Sequence, residues 1–256
     1  MWSAWLLTGT AGCGPQQAPS PAPEPVHRPR IMDSVPHDKE AFTQGLLVDR
    51  DRWLESTGRY GRSELREVER ASGKVLRRVS LDRRYFGEGL ALHDGRLYQL
   101  TWREEVCFVY DRDTFQLLER LPYPGEGWGL AGDGGFLYMS DGSDTIRVMD
   151  TADFTEVRRF RVHASAGPVP HLNEMAWIEG ELWANLFPTK WIVRFSPENG
   201  RVTGFLDLRH LPPPADVHPG QDVLNGIAYD PSDRSVWVTG KNWKRLYRLE
   251  WPPPGR

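Results

Sequence analysis

Glu88 lies between Gly87 and Gly89. Glycines on both sides let the backbone turn sharply and carry a side chain inward. An acid so placed is a candidate for proton transfer, its alternative being a solvated or salt-bridged surface group. Four further residues stand in the same relation to an apolar strand: Gln44, Trp128 and Asn225 each precede a glycine, and Asn173 precedes Glu174. If those stretches are equivalent strands of a repeat, the five side chains ring one opening, and only Glu88 among them ionises. A second set follows where the chain turns back, at Ser56-Thr57, Thr101-Trp102, Ser140-Asp141, Asn185-Leu186-Phe187 and Thr239-Gly240-Lys241. One carboxylate, several amides, one ammonium and aromatic walls then converge, which fits a concave pocket with a few directed polar groups. Trp102 and Trp128, in turns beside glycines, suit pocket walls; Trp53, Trp177, Trp183 and Trp237, inside strands, suit packing between repeats. The seven histidines show no zinc-ligand spacing, and neither a nucleophilic triad order nor a phosphate-cradling loop occurs. No metal site and no cofactor is expected.

The elements that must position these residues repeat five times. Each copy has a turn glycine, an apolar strand, an Asp/Gly-type turn and a second strand rich in Trp and Tyr, as in Gly89-Leu90-Ala91-Leu92 with Leu97-Tyr98-Gln99-Leu100. The copies start at residues 45, 89, 129, 174 and 226, and two more strand candidates follow each start. Four strands in repeats of this length predict an all-β chain folded as a five-bladed β-propeller. The last copy runs into Pro252-Pro253-Pro254 one strand short, while Arg30–Val35 alternates with period two and lacks a partner. That spare N-terminal strand is expected to close the last blade and remove the open edge.

A chain of 256 residues with 39% hydrophobic content supports one core, and a net charge of -3 with both signs scattered argues against nucleic acid as a partner. No apolar run approaches the roughly 20 residues of a membrane-spanning helix. Residues 1–13 end in Thr10-Ala11-Gly12-Cys13, which resembles a bacterial lipoprotein signal, and the Pro/Ala-rich stretch 14–29 reads as a flexible linker. The expected domains are therefore signal (1–13), linker (14–29) and propeller (30–256), with export to the periplasm and membrane anchoring through a lipid on Cys13. Cys107, inside Val106-Cys107-Phe108-Val109-Tyr110, reads as a small buried hydrophobe. A monomer is expected.

From about residue 35 onward, Ala41-Phe42-Thr43-Gln44-Gly45, Phe86-Gly87-Glu88-Gly89, Leu100-Thr101-Trp102, Gly127-Trp128-Gly129-Leu130, Leu172-Asn173-Glu174, Trp183-Ala184-Asn185, Val223-Leu224-Asn225-Gly226 and Thr239-Gly240-Lys241 resemble the plant and bacterial type of glutaminyl cyclase. The resemblance implies a five-bladed propeller, without catalytic metal, that converts the N-terminal glutamine of a peptide or protein into pyroglutamate and releases ammonia. It implies Glu88 as proton shuttle, Asn173 and Lys241 as oxyanion donors, and Gln44 as the residue that orients the amide. Phe42, Phe86, Trp102, Trp128 and Phe187 would form the walls. The chain departs from the family pattern at Phe187, where a tryptophan is usual, and at Ala176, where a glutamate is usual. Two other readings compete: a non-catalytic propeller that binds a peptide or glycan, and a calcium-dependent lactonase, for which the acidic ligands are too few.

Overall fold

The computed structural model describes residues 23–251; the signal segment, Cys13 and the first part of the linker lie outside the described residues. Five blades of four antiparallel strands, the fourth blade carrying an added parallel strand, follow one another around a central channel. Their inner strands are Thr43–Asp49, Gly87–His93, Leu130–Gly132, Leu172–Ile178 and Leu224–Asp230, each at the start of one sequence repeat. Inner strands touch neighbouring blades and are buried along most of their length. Outer strands such as Val75–Ser80 alternate between half-buried and exposed residues, because one face meets water.

The core is divided among the seams between blades. Leu54 and Leu65 of blade 1 pack with Leu90, Leu97 and Phe108 of blade 2, and the other four seams carry clusters of the same kind. Trp53 of blade 1 meets Trp237 of blade 5 edge to face at 5.4 Å, and Trp177 stacks on Tyr138 across the seam between blades 4 and 3 at 5.7 Å. The in-strand tryptophans thus join blades, as expected. Cys107 is fully buried, and burial pushes its thiol pKa up.

Closure follows the expected splice. Ile31–Pro36 pairs antiparallel with Arg245–Leu249 and completes blade 5, with Ile31 opposite Leu249 and Val35 opposite Leu246. The linker read as a flexible tether over 14–29 ends sooner than expected. Val26–His27 adds in parallel to the outer strand of blade 4, and Glu24 accepts a hydrogen bond from the Ser165 hydroxyl at 2.9 Å. Val26 and His27 thus join a sheet edge, a role that composition alone conceals.

A buried ion pair lies beside the splice. His37 Nε2 is 2.9 Å from Glu55 Oε1, its Nδ1 is 2.8 Å from the carbonyl of Trp243, and both side chains are almost fully buried. Thr43 Oγ1 donates to the same carboxylate, and Arg66 lies 3.8 Å from its other oxygen. Burial alone would depress the imidazole's pKa, but the charge and hydrogen bond of Glu55 outweigh it and hold it above 6.5. Burial likewise works against ionised Glu55, yet His37, Arg66 and Thr43 hold its pKa below 4.5.

Two outcomes follow from this closure. A chain starting at residue 30 should melt only a few degrees below one starting at 23. A chain starting at 37 should melt lower by more than about 10 °C, since roughly 2–4 °C corresponds to 1 kcal/mol at this size and a whole ladder is lost. Equal midpoints by circular dichroism for the 30 and 37 starts would overturn the splice. The second outcome concerns pH. A raised His37 pKa contributes stability in full below 6.5 that fades as pH climbs through the folded value; a lowered Glu55 pKa contributes stability above 4.5 that fades as pH falls through its folded value. His37→Gln should cost roughly 3–5 kcal/mol in that window, from urea titrations, and less at alkaline pH. A loss that does not vary with pH would contradict the ion pair.

Candidate active site

The site is built by irregularities in the inner strands. The ladder between inner and second strands slips between Thr43 and Gly45, Gly87 and Leu90, Leu172 and Met175, and Leu224 and Ile227. Each slip contains one residue of the sequence-derived ring: Gln44, Glu88, Asn173 or Asn225. A β-bulge inserts an extra residue, bends the strand and re-aims a side chain. In blade 3 Trp128 instead precedes a shortened inner strand.

Gly45, Gly89 and Gly129 serve close approach rather than the sharp turn expected from sequence, whereas Gly226, after Asn225, has a positive φ of 124° that favours glycine. A Cβ on Gly45 would lie 2.5 Å from the amide nitrogen of Leu90, one on Gly89 2.4 Å from that of Leu130, and one on Gly129 2.1 Å from the carbonyl oxygen of Asn173. In blade 4 the equivalent residue is Glu174, whose carboxylate enters the space the glycines leave and accepts the Leu46 and Ile227 amides at 3.2 and 2.8 Å. Burial pushes its pKa well up, with only those two amides opposing.

All nine residues singled out for the site line a single cavity of about 250 Å³: Glu88, Asn173 and Lys241 with Gln44, Phe42, Phe86, Trp102, Trp128 and Phe187. Asp222, from the loop before the last inner strand, also lines it and went unnoticed in the sequence. Asn225 stands one layer deeper. Its amide donates to Gln44 Oε1 at 3.1 Å, which leaves Gln44 Nε2 to donate to Glu88 Oε1 at 2.9 Å. Gln44 thus holds the carboxylate as well as facing the cavity. Ala176, by contrast, pairs with Trp183 and packs into the seam between blades 4 and 5, away from the cavity.

The walls are aromatic. Phe86 meets Phe42 at 6.2 Å and Trp102 at 5.6 Å, while Trp128 meets Phe187 at 5.7 Å, all edge to face. Gly58 lies behind Phe86 and Gly142 behind Trp128, where any Cβ would overlap the ring. Lys241 places Nζ 4.8 Å from the Phe42 ring centre and 5.3 Å from that of Phe187. An ammonium over ring faces is held without a carboxylate in direct contact.

Electrostatically the cavity is unusual. Burial drives the Glu88 pKa well above the carboxylate range; Lys241 pulls it back, while Glu126 and Glu104 push it further up. Burial also lowers the Lys241 pKa against the pull of Glu88 and Asp222. The Asn173 carboxamide oxygen is buried without a hydrogen-bond partner. Among the described residues no group of three or more His, Cys, Asp or Glu is arranged to hold a metal ion. The arrangement offers a buried carboxylate able to exchange a proton, an amide and an ammonium as hydrogen-bond donors lining the same cavity, and aromatic walls. Glu126 also escaped the sequence reading, although Gly125-Glu126-Gly127 repeats the pattern of Gly87-Glu88-Gly89.

Comparison with known proteins agrees with this geometry. The family model described as glutamine cyclotransferase matches residues 4–251. A glutaminyl-peptide cyclotransferase of Arabidopsis thaliana is 38% identical over 229 residues, covering 88% of this chain and 72% of the plant protein. The crystal structure of Myxococcus xanthus glutaminyl cyclase superposes with a TM-score of 0.83 at 32% identity, covering 89% of this chain and 97% of that one. With its five blades, its lined cavity and a family match spanning nearly its whole length, the chain belongs to the glutamine cyclotransferase family.

Proposed function

We propose that the chain cyclises the N-terminal glutamine of peptides and proteins to pyroglutamate, releasing ammonia, as a metal-independent acyl transfer. The observation that supports it most strongly is a buried carboxylate of raised pKa, Glu88, facing a buried ammonium, Lys241, across an aromatic cavity sized for one side chain. A module that merely bound peptides would gain nothing from burying Glu88 with so little compensation.

The substrate carries its own nucleophile. Its α-amine attacks the side-chain carboxamide carbon, a C–N bond forms, and the bond to the amide nitrogen breaks. Glu88 takes a proton from the amine and returns it to the departing nitrogen, which leaves as ammonia. Oxygen charge in the tetrahedral intermediate is met by Asn173 and Lys241. The rings of Phe42, Phe86, Trp102, Trp128 and Phe187 hold the folded conformer that brings amine and carbonyl together, and they exclude water. A carboxylate of ordinary pKa would be a poor acid for the second half of this shuttle. Burial shifts Glu88 towards the working range, and Gln44 fixes the oxygen that it touches.

Glu88→Gln keeps shape and hydrogen bonding but cannot carry a proton. Turnover of a glutamine-led peptide, followed by ammonia release, should drop by about 10²–10⁴-fold or more, with peptide affinity nearly unchanged. Asn173→Ala should lower turnover by a comparable factor while leaving the pH profile in place. A Glu88→Gln enzyme retaining more than about a tenth of the turnover would end the shuttle assignment.

The pH dependence has a definite sign. In kcat/KM two groups shape the acid side: the α-amine of the free peptide, which must be neutral to attack, and Glu88, which must start as carboxylate. Both make activity fall as pH decreases. On one peptide the amine is constant, so a change between variants reports Glu88. Lys241→Gln removes the charge that restrains the Glu88 pKa, so the same limb should move to higher pH on the same peptide. A limb that stays put, or moves down, would contradict the coupling.

A further inference from the structure

Two walls of the cavity share a polar anchor outside it. Trp102 comes from blade 2 and Trp128 from the entry to blade 3, and both indole N–H groups point to one oxygen. Glu126 Oε2 accepts from Trp102 Nε1 at 2.9 Å and from Trp128 Nε1 at 3.0 Å. The other oxygen, Oε1, accepts from Arg103 Nε at 3.0 Å, and the Arg103 guanidinium lies 3.7 Å from the Trp102 ring centre. The carboxylate is thereby shared between two adjacent blades and held from a third direction by the arginine. Gly127, next in the chain, has no room for a side chain, because a Cβ there would lie 2.4 Å from the Tyr123 hydroxyl.

This arrangement has a consequence for recognition. An indole can present either its N–H edge or its carbon surface, and rotation about the side-chain bonds exchanges them. With both N–H groups engaged by Glu126, the rings offer the cavity carbon surface, and polar recognition is left to Gln44, Asn173, Lys241 and Glu88. We propose that Glu126 is a positioning residue: it locks the two tryptophan walls in register and keeps their donors away from the substrate, so that the folded glutamine side chain meets an apolar cage. The inference deepens the cyclisation reading and rests on it.

Glu126 also acts through its charge. The groups coupled to Glu88 or its rim are Lys241, Glu104, Glu126, Tyr60, Tyr123 and Arg103, and of these Glu126 and Glu104 disfavour a second negative charge. Removing the Glu126 charge lowers the Glu88 pKa.

Glutamine at position 126 separates the two effects, since it keeps an acceptor oxygen and loses the charge. In Glu126→Ala, KM for a glutamine-led peptide should rise about tenfold or more with a smaller change in kcat, because two charge-assisted hydrogen bonds are lost. In Glu126→Gln, KM should recover to within about threefold of the parent. The acid limb of kcat/KM should move to lower pH by roughly a few tenths of a unit in both variants. A residue that served folding alone would shift the melting midpoint and leave the limb where it was. Calorimetric binding of the same peptide in a Glu88→Gln background gives a readout free of turnover, and there Glu126→Ala should weaken binding about tenfold. Parent-like KM and binding in Glu126→Ala, or an unmoved limb in a folded Glu126→Gln, would overturn the inference. Should the parent enzyme release no ammonia from the glutamine-led peptide, the cyclisation reading fails instead, and the two failures are told apart.

Discussion

Five strands cannot converge on one axis with a side chain at every position. The backbones of neighbouring inner strands approach so closely that a single Cβ at Gly45, Gly89 or Gly129 would overlap the next blade. Glycine answers the crowding at those positions, and a slipped register in the same strands carries the preceding residue out of the sheet. The pocket is a by-product of that constraint. Gln44, Glu88, Asn173 and Asn225 rise from the channel mouth because the ladder slips where they stand. Below them Glu174 takes the room the glycines leave and ties the backbones of blades 1 and 5 to blade 4.

Three glutamates are buried around this channel, and their partners give them different chemistry. Glu55 has an imidazole, a hydroxyl and a nearby guanidinium, so it stays ionised and holds the closure. Glu174 receives two backbone amides and serves as a strut. Glu88 has one amide donor and an ammonium reaching it only through space, which leaves its charge under-compensated. Burial raises the pKa of Glu174 as it does that of Glu88, but Glu174 is tied to two backbone amides whereas Glu88 lines the cavity. The same residue type, buried to a similar extent, is thus tied into the backbone or an ion pair in two places and left facing the cavity in one.

The closure and the site also share residues. The loop that carries Lys241 continues through Asn242 and Trp243, and these touch Ala41, Lys39 and His37 of the segment that leads into Phe42 and Gln44. Joining the first blade to the last therefore sets the ammonium against Phe42. Asn242 also accepts from Arg59, whose guanidinium lies over Phe42 at 4.5 Å. Ring closure in this chain is at once a source of stability and the step that assembles one side of the cavity.

Blade number, the missing strand and its replacement were legible in the sequence because they depend on local periodicity: apolar strands, turn residues and a repeat of about one blade. The ring of Gln44, Glu88, Trp128, Asn173 and Asn225 was legible for the same reason, since equivalent positions of a repeat must lie at one level. Tertiary structure decided the rest. It showed that the glycines relieve crowding between blades, which no single strand reveals. It turned Val26–His27 from linker into strand through an edge offered by a blade more than 170 residues away. It brought Asp222 to the cavity, gave Glu126 two indoles to hold and separated Glu88 from Glu55 and Glu174 by their partners. Periodicity is written along the chain, whereas desolvation and charge coupling arise only when distant segments meet, and those set the protonation behaviour of the site.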